Sequence, residues 1–202
     1  ATPGATAEYG FAHDCILHSM RVEEDNGTIL PSNVINALSY CISNNFDIVN
    51  MSFVLENGTI DNAIQACLDA GIIVVCASGN DSSISMAYPA NYEGVIAVNA
   101  WDNSSDPKVF GSYLTGPNKI TITNYCQGHT TFTGGTSQAA FMLTGILAIY
   151  KQKYPSLDTP KAIRLLQKKA LEMDGYTYNI NTGLINKLIN YETGGGFLAP
   201  LN

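Results

Sequence analysis

The chain has 202 residues, and we expect a single domain over residues 1–202 with room for a substantial hydrophobic core. Hydrophobic residues make up 46% of the sequence and charged residues only 13%, which excludes a coiled coil and a disordered polyion. The net charge of −7 argues against nucleic acid as a partner, because phosphate binding needs clustered lysine and arginine.

Three short apolar segments predict strands at the centre of the fold. They occupy residues 47–52, 71–80 and 94–100, and a less apolar candidate occupies residues 15–22. Valine and isoleucine follow one another in them almost without alternation, which is typical of parallel strands covered on both faces.

Helical patterns separate these strands. Ser32 and Thr59 are predicted to cap the first two helices. The inner faces are predicted at Ile35, Leu38 and Ile42 in the first helix, and at Ile60, Ile64, Cys67 and Leu68 in the second. Because strands alternate with helices, we predict an α/β fold of three layers, in which a mostly parallel central sheet carries helices on both faces.

Two further helices are predicted in the second half of the chain. One begins near Ser137 and ends near Lys153, and it is apolar almost all round, as expected of a helix buried within the domain. Thr159 and Pro160 open an amphipathic helix. The longest apolar run, residues 139–150, is shorter than the ~20 residues that a bilayer requires, so we expect no membrane partner.

The cysteine count bears on the redox compartment. An odd number without a C-x-x-C pair fits neither a disulfide framework nor a zinc site. We expect reduced, buried thiols, which favours a cytoplasmic origin, although a mature secreted chain would have lost its signal peptide. The five residues are Cys15, Cys41, Cys67, Cys76 and Cys126.

Polar residues follow two of the predicted strands, and a serine begins the buried helix. Ligands of open α/β sheets bind outside the carboxyl ends of strands, where Asn80 is expected. Ser137, at a helix N-terminus, lies among unpaired N–H groups, which suit developing negative charge. The alternatives are an ordinary helix cap for Ser137 and a turn residue for Asn80.

Four motifs occur in an order and spacing that resemble the subtilisin-like serine peptidases, the subtilases. A fifth segment, residues 10–22, resembles the family's approach to a central strand. The motifs are Asp47-Ile-Val-Asn-Met-Ser52, Val75-Cys-Ala-Ser-Gly-Asn80, Tyr88-Pro-Ala-Asn-Tyr-Glu-Gly-Val-Ile-Ala-Val98 and Gly135-Thr-Ser-Gln-Ala-Ala140.

The resemblance implies a serine endopeptidase that acts on polypeptides. It implies Ser137 as the nucleophile that forms an acyl-enzyme, with Asn80 and the Ser137 backbone N–H as oxyanion donors. It also implies a substrate-binding cleft, whose small floor residue, Ala87, leaves room for a large apolar side chain. The residues implied to pair with the peptide or wall its pocket are Ser52, Phe53, Val54, Ala77, Ser78 and Gly79.

Two catalytic residues of the family have no counterpart in this sequence. The family's Asp-Thr/Ser-Gly and His-Gly-Thr-His motifs do not occur, and His13, His18 and His129 do not match them. We therefore expect the N-terminal part of the fold to be missing. An N-terminal segment of the same protein, separated by processing, would carry the aspartate and histidine as a partner, and this chain alone would be inactive.

Two questions stay open from the sequence. Phe141 and Met142 stand where the family usually has proline, which keeps a catalytically inactive pseudopeptidase or a peptide-binding module as the alternative. No cofactor is required by the expected reaction. A structural calcium ion is possible by resemblance, with Asp81, Asp102 and Asp106 as candidate ligands, although no spacing resembles an EF-hand and solvated loop acids are the alternative.

Overall fold

A parallel β-sheet forms the centre of the domain. A computed structural model describes residues 12, 14–81, 86–101, 119–123, 135–174, 178–179 and 184–185. In that part of the chain, four strands lie in the order β1-β2-β3-β4, and every neighbouring pair is parallel. The strands are β1 (Ile48–Met51), β2 (Ile73–Ala77), β3 (Ile96–Trp101) and β4 (Lys119–Thr123).

Four helices accompany the sheet in the described part of the chain. Strands β5 (Tyr178–Asn179) and β6 (Leu184–Ile185) form a separate antiparallel pair. The helices are α1 (Pro31–Ser43), α2 (Asp61–Asp69), α3 (Thr136–Lys153) and α4 (Thr159–Asp174). No helix in the described ranges has the length and apolar character that a membrane crossing would need.

The two faces of the sheet are covered by different helices, which confirms the predicted three-layer α/β fold. Strand β2 shows this most clearly, because all five of its residues are buried. Ile73, Val75 and Ala77 pack with α3 and α4 in one hydrophobic cluster. Val74 and Cys76 point to the other face and pack with α1 and α2. A strand covered on both faces explains the unbroken apolar run in the sequence.

The predicted helix caps were wrong. Helix α1 begins at Pro31 with Leu30 as its cap, and α2 begins at Asp61 with Ile60 as its cap, neither of them through a side-chain hydrogen bond. Proline starts α1 one residue before Ser32 because its fixed φ suits the first helical position. Thr59 donates instead to the carbonyl oxygen of Glu56, within the preceding turn.

Other expectations also needed correction. The inner face of α1 is Val34, Leu38 and Cys41, while Ile35 is 37% exposed. Residues 15–22 form no strand, and the extended pairing nearby is a single bridge between Glu23 and Ile29. Strand β4 was not predicted.

The cysteine side chains differ in burial, and their reactivity can therefore test which residues lie in the core. Cys41, Cys67 and Cys76 are buried and Cys15 is exposed, contrary to the expectation that all lie inside. Burial raises the pKa of Cys67 to about 11, with a smaller contribution from Cys41. Burial likewise raises the pKa of Cys76. Since the thiolate is the reactive form, these buried thiols should resist alkylation.

We expect iodoacetamide at pH 8 to modify Cys15 in the folded protein and to leave Cys67 and Cys76 unmodified. Mass spectrometry of proteolytic peptides measures each site separately. A parallel sample in denaturant serves as the control, because all of these thiols are accessible in the unfolded chain. Equal labelling of Cys15 and Cys76 in the folded protein would contradict the packing described above.

Candidate functional site

The end of β2 and the start of α3 meet through Asn80. The Asn80 Oδ1 atom accepts hydrogen bonds from the backbone N–H of Thr136 at 2.8 Å and from Thr136 Oγ1 at 2.9 Å. Because a backbone N–H can only donate, the oxygen of the carboxamide must face the helix. The Nδ2 group carries the donors of the Asn80 carboxamide, and it lies next to Gly135 at the start of α3.

A glycine makes this close approach possible. Gly135 precedes α3 with φ +104°, a conformation that other residues rarely adopt. A Cβ atom at this position would lie 3.1 Å from Asn80 Oδ1 and 3.2 Å from Nδ2. The absence of a side chain at residue 135 therefore leaves the space that the Asn80 carboxamide occupies.

Ser137 lies in the first turn of α3, one residue after the contact with Asn80. Its side chain is half-buried, and Asn80 is exposed, so both are reachable from solvent. The Ser137 Oγ donates to the carbonyl oxygen of Ser52 at 3.4 Å, a long and weak hydrogen bond. The N–H groups of a first helical turn have no partner within the helix, so the Ser137 N–H lies where an anion would be stabilised.

The helix holds this serine in place because it is buried along its length. Nine residues of α3 are buried, including Leu143, Ile146 and Leu147 in the cluster that covers β2 and β3. Such a helix has no freedom to slide relative to the strands. The position of Ser137 beside the strand ends therefore follows from core packing.

The residues implied in substrate binding lie in two neighbouring segments of the chain. Ser52 and Phe53 are half-buried, and Val54 is 59% exposed, directly after β1. Ala77 and Ser78 are buried, at the end of β2 and just after it. These two short segments follow adjacent parallel strands, so they lie side by side at the same edge of the sheet.

Ala87 lies next to the segment that contains Ser78 and Gly79. Its backbone N–H donates to the carbonyl oxygen of Ser78 at 3.0 Å. A Cβ atom on Gly79 would lie 3.2 Å from the Ala87 Cβ. Gly79, with φ +99°, and Ala87 therefore lie in contact.

Tyr88 is a residue of this region whose contacts the sequence did not reveal. Its carbonyl oxygen accepts from the N–H of Leu55 at 3.0 Å. Its hydroxyl accepts from the N–H of Ile60 at 3.0 Å and donates to Asp61 Oδ1 at 2.8 Å. Burial, reinforced by the Asp61 carboxylate, raises the pKa of Tyr88, so the hydroxyl stays protonated. Tyr88 thus ties the segment that holds Ala87 to the chain that follows Val54.

The described histidine lies on the other side of the sheet from α3. The ring of His18 packs against Phe46 with 4.6 Å between ring centres, and Phe46 packs with the cluster of α1 and α2. His13 and His129 lie outside the described residues. Among the described residues, no histidine is therefore positioned next to Ser137.

The described ranges contain no group of three or more His, Cys, Asp or Glu side chains that could hold a metal ion. Of the candidate calcium ligands, Asp81 is described and Asp102 and Asp106 lie outside the described residues. Calcium binding stays a prediction.

Comparison with known proteins agrees with the motifs. The sequence model of the subtilase family matches residues 4–187, which is most of the chain. The chain belongs to the subtilase family. This subtilase is 28% identical to subtilisin DY of Bacillus licheniformis over 197 residues, which cover 92% of the chain and 72% of the relative.

Two other similarities show how much of each matched protein the chain spans. It is 31% identical over 154 residues to a thermostable alkaline protease of Halalkalibacterium halodurans, covering 73% of this chain and 43% of that relative. The crystal structure of a cold-adapted subtilisin-like serine proteinase superposes with a TM-score of 0.63 at 22% identity. That superposition covers 74% of this subtilase and 58% of the other chain, so the fold is shared over only part of the larger protein.

Proposed function

We propose that this subtilase is the serine-bearing part of an endopeptidase that hydrolyses peptide bonds through an acyl-enzyme on Ser137. The observation that carries the proposal is the fixed carboxamide of Asn80. Two hydrogen bonds from Thr136 hold its oxygen. Its Nδ2 donor lies next to Gly135, two residues before Ser137. A preorganised donor next to a serine at a helix N-terminus is the arrangement that acyl transfer requires.

The proposed reaction proceeds in two steps. The Ser137 Oγ bonds to the carbonyl carbon of the substrate while its proton passes to a general base, and the oxyanion accepts hydrogen bonds from Asn80 Nδ2 and the Ser137 N–H. The C–N bond then breaks and the leaving amine takes the proton from the base. Water finally hydrolyses the ester and restores the serine hydroxyl.

The general base is proposed to come from an N-terminal segment of the same protein. His18 packs on the far side of the sheet, so it is not in position to take the proton of Ser137. A serine hydroxyl without an adjacent base is a weak nucleophile. We therefore expect a histidine oriented by an aspartate to be supplied from that segment, and residues 1–202 alone to be inactive.

The edge of β1 offers a place for that segment. Within the described part of the chain, β1 pairs with β2 alone, so its other edge presents unpaired backbone groups. Such an edge accepts a further strand by backbone hydrogen bonds. The chain leaves β1 at Ser52, whose carbonyl oxygen contacts Ser137. A parallel strand added here would deliver its own C-terminal residues near the nucleophile.

The proposed cleft binds a polypeptide in extended form. The segment 52–54 would pair with the substrate backbone, and Ala77, Ser78 and Gly79 would wall the pocket, with Ala87 at its floor. Two observations support this placement, namely the exposure of Val54 and the contact of Ala87 with Gly79. A small floor residue favours substrates with a large apolar side chain before the cleaved bond.

A fluorophosphonate probe tests the proposal, because it reacts covalently with an activated serine. We expect the full-length protein to be labelled at Ser137, as mapped by mass spectrometry, and residues 1–202 alone to remain unlabelled. Adding the separate N-terminal segment to residues 1–202 should restore labelling. Absence of labelling in the full-length protein, together with retained binding of a peptide, would support the inactive peptide-binding module instead.

A further inference from the structure

Asn50 lies in strand β1, and its side chain contacts both Ser52 and helix α3. Its Nδ2 donates to Ser52 Oγ at 3.0 Å, and its Oδ1 lies 3.5 Å from Thr144 Oγ1 near the middle of α3. Met51 beside it is buried in the cluster of α1 and α2. Because neighbouring residues of a strand point to opposite faces, Asn50 points to the face covered by α3.

Ser52 and Ser137 are joined by two reciprocal contacts. The Ser137 Oγ donates to the carbonyl oxygen of Ser52, and the Ser52 Oγ donates to the carbonyl oxygen of Ser137, both at 3.4 Å. Hydrogen bonds of this length are weak and contribute little to folding stability. Core packing sets the distance between α3 and β1, and these two contacts orient the Ser137 hydroxyl within that arrangement.

The direction of these bonds depends on Asn50. A serine hydroxyl has one proton and accepts on its remaining lone pairs. When the Asn50 amide donates to Ser52 Oγ, the hydroxyl proton of Ser52 is left for the carbonyl oxygen of Ser137. A group at residue 50 that could only accept would draw that proton away.

We propose that Asn50 is a positioning residue for the nucleophile, acting through the hydroxyl of Ser52. The inference rests on the proposed function, in which Ser137 is acylated. Asn50 itself is exposed at the edge of β1, so its hydrogen bond adds little to the stability of the fold. Misplacement of a reacting atom by about 1 Å can cost on the order of 10²-fold in rate, so a small loss of order at Ser137 is measurable.

The test is the rate of fluorophosphonate labelling in the full-length protein. Asn50→Asp has the same shape but cannot donate, and we expect labelling about five- to tenfold slower, the effect of one neutral hydrogen bond. Asn50→Ala, which adds no charge, should slow labelling to a similar degree. Asn36→Asp is the matched control, because Asn36 is an exposed residue of α1 on the opposite face of the sheet, and its rate should not change.

A double-mutant cycle separates positioning from charge. If Asn50 acts through the Ser52 hydroxyl, Asn50→Asp should change the rate less than twofold in a Ser52→Ala background. An additive loss in that background, or an unchanged rate in Asn50→Asp alone, would overturn the inference while leaving the proposed function intact. A wild-type protein that is not labelled would overturn the proposed function, and this inference with it.

Discussion

Replacing Ser137 by alanine in the full-length protein is expected to reduce hydrolysis of a peptide anilide to the background of the assay. Alanine has no oxygen to bond to the substrate carbonyl, so the acyl-enzyme cannot form. In subtilisin, loss of the nucleophilic serine lowers turnover by on the order of 10⁶-fold. The loss here should be of the same order and should appear in kcat rather than in KM.

The fold should tolerate this substitution. The hydrogen bond of Ser137 Oγ is long, and helix α3 is held by its buried apolar residues, so stability should change by less than about 1 kcal/mol. Ser39→Ala is a suitable control, because Ser39 also bonds a backbone carbonyl but lies on the exposed surface of α1. Hydrolysis by the Ser137→Ala protein at more than a small percentage of the wild-type rate would contradict the assignment of the nucleophile.

Much of the fold could be predicted because the central strands are covered on both faces. Residues 72–77 form an unbroken apolar run, and the structure places β2 within them, with every residue of β2 buried. Strand β4 was missed because Lys119-Ile-Thr-Ile-Thr123 alternates apolar and polar residues and so lacks the continuous apolar run by which the other strands were predicted. The predicted cap of α1 was wrong because the fixed φ of Pro31, and not a side-chain hydroxyl, decides where this helix starts.

The candidate site was predictable only in part. Ser137 and Asn80 could be singled out from their motifs and from their expected places at a helix start and a strand end. The contacts between Ser52 and Ser137 could not be foreseen, because they join residues 85 positions apart and depend on the distance between β1 and α3. The same holds for the hydroxyl of Tyr88, whose partners lie 27 and 28 positions away.

The role of Asn80 can be separated into two parts, because its carboxamide oxygen and nitrogen have different tasks. The oxygen accepts from the N–H and hydroxyl of Thr136 and so caps α3, while the nitrogen is the proposed oxyanion donor. Asn80→Asp keeps an acceptor for Thr136 and removes the donor. Asn80→Ala removes both.

We therefore expect the two variants to agree in activity and to differ in stability. Loss of one oxyanion donor costs about 10²–10³-fold in kcat, and Asn80→Asp should lose at least this much, because its negative charge also opposes the oxyanion. Asn80→Ala should unfold more readily by about 1 kcal/mol, the cost of a lost helix cap. Asn80→Asp should be as stable as the wild type, since a carboxylate at a helix N-terminus is favourable.

Steady-state kinetics on a peptide anilide and urea unfolding of the same preparations test this separation. A fall in kcat without a fall in stability in Asn80→Asp cannot be attributed to a damaged fold. A similar fall in the uncharged Asn80→Ala would then assign the lost rate to the Nδ2 donor and not to the added charge. Wild-type kcat in Asn80→Asp would contradict the oxyanion role and leave Asn80 as a structural cap. Equal stability of Asn80→Ala and the wild type would instead contradict the capping of α3 by the Asn80 oxygen.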